Sequence, residues 1–228
     1  SSDLFFTKIV DVWHDNCPKI GMDSLPNILH PETRVVVFDL DGTLYSRRGM
    51  VRRMMFRALL DWRVMLAERK VRRLLRGKWY GNKERFYEVY FSELAKQHNY
   101  TINYVRWWYT TRYMPLMISV IGKFQKLAKW VLPFMEECRK VGVRMVVLSD
   151  YGYTHEKLHA LGLNENDFDW VISAPELGGL KPAAELLACV ANRMNVSTRQ
   201  CLVIGDREDT DGEMAKAAGA TFYHIINQ

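Results

Sequence analysis

Apolar residues in this chain follow two rhythms, and the switch between them divides it. Short, mostly apolar runs at 35–39, 143–148, 170–172, 201–204 and 221–225 have the length and composition of buried strands. Between the first and second runs the spacing is helical. Apolar residues at 51, 54, 55, 58, 59, 62, 65 and 66 predict one helix over 50–76, ended by Gly77 and Gly81. Further helices are predicted over about 82–97 and 102–119. Beyond them, helices are expected at 130–141, 153–161, 182–194 and 211–218. Pro133 stands in the first turn of the first of these, and Gly162 stops the second. Strands alternating with helices imply an α/β fold: a three-layer, Rossmann-like core with a parallel sheet, plus an inserted all-helical cap domain. The expected division is 34–46 and 123–228 for the core, 47–122 for the cap and 1–33 for an N-terminal helical extension. That extension is suggested by Leu4, Phe5, Ile9, Val12 and Trp13. Because the insert leaves directly from the end of the first strand, it is expected to lie over that end as a lid.

With 228 residues, of which 48% are hydrophobic and 25% charged, the chain can bury a full core without staples. Its four cysteines are widely separated and form no Cys-x-x-Cys pair, which suggests reduced thiols and a cytoplasmic protein. No secretory leader is recognisable, and the longest mostly apolar stretch, near 114–121, is too short to span a bilayer. The net charge of +6 is uneven: residues 47–85 carry fourteen Lys or Arg and three acids. Three roles fit that concentration: drawing in anionic substrates, binding nucleic acid, or solvating helix faces. The cap's aromatic residues, among them Trp62, Trp79, Trp107 and Trp108, are expected mainly in its core, with some lining a pocket.

Candidate chemistry gathers where the apolar runs end. Val35–Phe38 leads into Asp39 and Asp41, two carboxylates one residue apart, followed by Gly42. Ligands of open α/β sheets bind at carboxyl strand ends, and adjacent carboxylates repel unless a cation or shared proton relieves them. A hard cation such as Mg²⁺ takes oxygen ligands and leaves room for phosphate oxygens. Metal-assisted chemistry on a phosphate is therefore the first expectation. The other strands and connections add Ser149 and Asp150, Lys181 in a Gly-Gly-Leu-Lys-Pro loop, and Asp206 followed by Glu208, Asp209 and Asp211, an acidic run that favours a bound cation.

The order and spacing of these stretches resemble the haloacid dehalogenase superfamily of phosphatases and phosphotransferases. The carrying segments are Asp39-Leu40-Asp41-Gly42-Thr43-Leu44, Val146-Val147-Leu148-Ser149, Lys181-Pro182 and Gly205-Asp206 with Asp209 or Asp211, and the likeness covers about residues 35–226. It implies a Mg²⁺-dependent phosphomonoester hydrolase for a small phosphorylated metabolite. Asp39 would be the nucleophile that becomes an aspartyl-phosphate, and Asp41 the general acid and then base. The dehalogenating members lack the second aspartate, which argues against dehalogenation. The resemblance assigns Mg²⁺ to Asp39, the backbone carbonyl of Asp41, Asp206 and Asp211, with Asp209 acting through water or a neighbouring ligand. It assigns the phosphoryl oxygens to Ser149, Lys181, Gly42 and Asp150. Arg47 and Arg48, at the cap's entry, are placed to reach a second anionic group on the substrate.

Three other readings compete. A phosphotransferase or phosphosugar mutase of the same superfamily would deliver the phosphoryl group to a sugar hydroxyl. A nucleic-acid-binding protein would use the Arg-rich helix but leave the aspartates unexplained. A zinc protease would use His155, Glu156 and His159, which satisfy His-Glu-x-x-His; yet Leu158, Leu161 and Leu163 mark that helix as a plain packing element.

Overall fold

The computed structural model describes residues 28–226 except Leu59, so the helix expected within 1–33 lies almost wholly outside the described residues. Five strands form one parallel sheet: β1 (Val35–Phe38), β2 (Arg144–Ser149), β3 (Trp170–Ser173), β4 (Cys201–Gly205) and β5 (Thr221–His224), in the order β3-β2-β1-β4-β5. β1 is central, pairing Phe38 with Val147 on one side and with Ile204 on the other. The carboxyl ends of β1, β2 and β4 thus finish side by side, and the strand order reverses direction at β1. That is where an open α/β sheet forms its binding crevice.

Alternation along the strands sends neighbouring side chains to opposite faces. Val35, Val37, Val146, Leu148 and Val203 pack with Leu186, Leu187 and Val190 of α8 (Ala184–Arg193) and with Met214 and Ala215 of α9 (Glu213–Ala218). Val36, Phe38, Val147, Leu202 and Ile204 face the other way, toward Phe134 of α6 (Val131–Lys140) and Leu158 of α7 (Thr154–Ala160). Phe38 stacks on Trp130 with ring centroids 6.3 Å apart and meets the edge of Phe134 at 6.0 Å.

Between β1 and β2 the chain forms α1 (Met50–Arg57), α2 (Trp62–Leu75), α3 (Lys83–Lys96), α4 (Ile102–Trp108) and α5 (Met114–Phe124). The single helix expected over 50–76 is therefore two. The break falls before Asp61, whose carbonyl accepts the first bond of α2 and whose carboxylate pairs with Arg112 at 2.8 Å. The two pieces also pack on different partners, α1 against α5 and α2 against α3. The helix expected over 102–119 is interrupted by a π-helical turn, Tyr109–Tyr113, just ahead of Pro115, which has no N–H to continue the regular ladder. A second π-helical turn, Glu208–Gly212, replaces the start of the helix expected over 211–218.

The hydrophobic interior of these inserted helices is continuous with one face of the sheet. Met54, Val71, Leu94, Trp108 and Val120 belong to the same buried cluster as Val36, Phe38 and Phe134. Among the described residues no helix is long and apolar enough to cross a membrane. Phe134→Ala removes a ring from the junction of sheet and insert and should cost about 3–5 kcal/mol in urea unfolding. A loss below about 1 kcal/mol would contradict this account of the core.

Candidate active site

β1 ends by placing Asp39 at the floor of a cavity of about 290 Å³, room for roughly ten water molecules. Asp41, Asp150, Lys181, Asp206 and Asp211 also line it. Lys181 Nζ lies 2.8 Å from Asp39 Oδ1 and 2.7 Å from Asp211 Oδ1. Thr43 donates to Asp39 Oδ2 at 2.9 Å, so the nucleophile candidate is oriented from both sides. Burial disfavours the Lys181 cation, but Asp211 and Asp39 outweigh that and raise its pKa.

The carboxylates of Asp39, Asp206 and Asp211 offer oxygen atoms within 4.8 Å of one another. Two glycines make this crowding feasible. A Cβ on Gly42, whose φ is +116°, would fall 2.2 Å from Asp206 Oδ2, and one on Gly205 would fall 2.4 Å from Asp211 Cγ. Burial, reinforced by Asp39, lifts Asp206 to about 6. Burial likewise lifts Asp211 to about 7, with Asp39 adding to the rise and Lys181 opposing it. An all-carboxylate oxygen set, with Asp206 and Asp211 held above the ordinary carboxylate range, fits a hard divalent cation.

Asp41 behaves differently. Its Oδ1 accepts from Tyr45 Oη at 2.6 Å; its Oδ2 lies 2.7 Å from Ser149 Oγ and 2.5 Å from Lys157 Nζ. Burial alone would raise its pKa, but Lys157 and Tyr45 bring it down to about 2. Lys157 is fully buried and also bonds Ser149 Oγ at 2.8 Å. The helix after Ser149, read from sequence as packing only, therefore delivers a cation into the site. One signal was present: Lys157 falls on the stripe formed by Thr154, Leu158 and Leu161, where a charge has no reason to sit unless it is paired.

Ser149 stands behind Asp41 and is fully buried. The Asp150 carboxylate accepts from the Lys181 backbone N–H at 3.0 Å and so fixes the lysine loop. Of the two acids after Asp206, Asp211 joins the cluster. Asp209 is exposed and pairs with Arg76 at 2.6 Å and with Arg207 at 2.7 Å. Arg47 lines the cavity, whereas Arg48 is exposed and lines a neighbouring cleft with Gly42 and His224. The inserted helices reach the site through Arg72 of α2, whose Nη1 donates to the Asp150 carbonyl at 2.8 Å and whose guanidinium lies 3.8 Å from the Tyr151 ring centroid. Arg72 is anchored in turn by Glu68, a buried acid that also accepts from Tyr90 and Tyr113. His155, Glu156 and His159 are exposed, and His155 pairs with Glu165 at 2.5 Å. Among the described residues only Asp39, Asp206 and Asp211 form a group of three close enough to share a metal, so the zinc-protease reading is not carried by the fold.

A family profile described as haloacid dehalogenase-like hydrolase matches residues 33–219. The chain belongs to that family. A curated relative from Methanocaldococcus jannaschii, named glyceraldehyde 3-phosphate phosphatase, is 27% identical, the match covering 84% of each chain. Among solved structures, a HAD phosphatase from Thermococcus onnurineus superposes with a TM-score of 0.54 at 22% identity, over 83% of this chain and 85% of that one. A 2-haloacid dehalogenase from Pseudomonas syringae superposes with a TM-score of 0.57 at 18% identity, over the same shares. These superpositions show the shared fold.

The raised carboxylates predict an unusual stability profile. Without a cation, Asp206 and Asp211 keep protons up to about 6 and 7, against an ordinary 3.8. Over that interval the folded state binds more protons than the unfolded chain, so stability falls as pH rises. Thermal unfolding in chelator should show Tm dropping between pH 5 and pH 8, and millimolar Mg²⁺ should raise Tm more at pH 8 than at pH 5. Equal Mg²⁺ shifts at both values would refute the assignment.

Proposed function

We propose that this chain is a phosphomonoester hydrolase acting on a small phosphorylated metabolite through an aspartyl-phosphate on Asp39. The observation that supports this most is Asp39 itself: a buried carboxylate at a cavity floor, held by Lys181 and Thr43, with Asp206 and Asp211 beside it. Asp39 attacks phosphorus, the bond to the leaving oxygen breaks, and water later cleaves the acyl-phosphate. Lys181 neutralises charge on the phosphoryl oxygens. Asp39, Asp206 and Asp211, with the Asp41 carbonyl, would hold Mg²⁺. Mg²⁺ bound there supplies charge neutralisation between nucleophile and substrate.

Asp41 handles the proton. Its engaged, strongly acidic carboxylate is held ready by Lys157, which positions it rather than touching substrate. Ser149, at the end of β2, donates to Asp41 and accepts from Lys157, and so orients the same pair. Residues 47–122 act as the cap over the core, with Arg72 and Arg76 bridging to Asp150 and Asp209. Arg47 contributes to the pocket and Arg48 lies outside it. The phosphatase name of the Methanocaldococcus jannaschii relative points the same way.

Release of inorganic phosphate from a panel of phosphorylated metabolites with Mg²⁺, and without any acceptor sugar, tests the reading and separates hydrolysis from phosphoryl transfer. Asp39→Asn should lower kcat roughly a thousandfold or more; turnover near wild type would sink the proposal. Lys157→Met should lower kcat by about ten- to a hundredfold with little change in KM, and Lys157→Arg should recover part of it. A pure KM effect would show that Lys157 does not position Asp41.

A further inference from the structure

Three arginines of α2 (Arg69, Arg72 and Arg73) and Arg76, which caps its carboxyl end, follow i, i+3, i+4 and i+7 spacing and so share one helix face. That face is a wall of the Asp39 cavity, and all four line it. Like charges at i, i+4 destabilise a helix, so Arg69 with Arg73 and Arg72 with Arg76 are each a cost unless something negative meets them. Glu68 takes up Arg72, and Asp209 takes up Arg76. Arg69 and Arg73 have no carboxylate partner among the described residues. Lys181 is already engaged by Asp39 and Asp211, and Arg47 lies in the field of Asp41 and Asp206. One phosphoryl group bound at Asp39 would thus leave two exposed guanidinium groups facing a small cavity without a counter-charge.

We propose that the substrate carries a second phosphate, received by Arg69 and Arg73, so that the pocket selects small bisphosphorylated metabolites over monophosphates. This rests on the phosphatase reading of the Asp39 site. Two forked guanidinium groups match a dianionic phosphate in charge and in bidentate geometry. Asp39, Arg69 and Arg73 line one and the same cavity, so a small bisphosphate is the class of substrate that would meet all three.

The test compares kcat/KM for 1,3-propanediol bisphosphate, propyl phosphate and 3-phosphoglycerate with Mg²⁺ at low ionic strength. The wild type should prefer the bisphosphate tenfold or more. In the Arg69→Gln/Arg73→Gln double variant the ratio of bisphosphate to monophosphate should fall to near one, through a higher KM for the bisphosphate. Arg63→Gln, on the same helix but away from the cavity, should keep the wild-type ratio. Hydrolysis of the monophosphate with no preference, a preference that survives the double variant, or a stronger preference for 3-phosphoglycerate would overturn the inference and leave the phosphatase reading standing. If no phosphomonoester is hydrolysed at all, both fall.

Discussion

Mutual repulsion of carboxylates forced into one buried crevice is the constraint on which the rest of this structure turns. β1 and β4 finish side by side, so Asp39, Asp206 and Asp211 converge by construction of the sheet. The local backbone permits the crowding, because Gly42 and Gly205 lack the side chains that would keep Asp206 and Asp211 away. A cluster of this kind persists only when cations or retained protons answer it. Lys181 answers two of the carboxylates, and a hard divalent ion suits what remains.

Asp41 shows the opposite solution only two residues along the chain. It is as buried as Asp39, yet it is withdrawn from the cluster and given a lysine, a tyrosine and a serine of its own. Two carboxylates from one turn thus acquire separate environments, which the proposed division into nucleophile and proton carrier requires. Separating the ionisation behaviour of neighbouring acids in this way is a general route to dividing chemical roles.

The parts of this arrangement that were legible in the sequence are those fixed within a few residues of one another. An apolar run followed by Asp-x-Asp-Gly determines both a buried strand and what lies at its end, and the same holds for Ser149 and for Gly205-Asp206. What was not legible depends on partners distant in the chain. The break at Asp61 is set by Arg112 and by packing of α1 and α2 on different helices, while the apolar spacing runs through it unchanged. The basic stretch reads as solvated, substrate-facing or nucleic-acid-binding until α2 is oriented over the site. Lys157 was only half legible: its place on an apolar stripe calls for a buried partner, but the sequence does not say that the partner is Asp41.

The shared hydrophobic cluster constrains how the molecule can move. Helices inserted between β1 and β2 bury their apolar residues jointly with Phe38, Trp130 and Phe134, and Arg72, Trp79 and Tyr80 add hydrogen bonds to Asp150, Leu177 and Gly178. Swinging that layer away as a rigid flap would tear open the interior itself. Opening the crevice by that route would expose apolar surface, and the layer cannot be excised as a module without uncovering one face of the sheet.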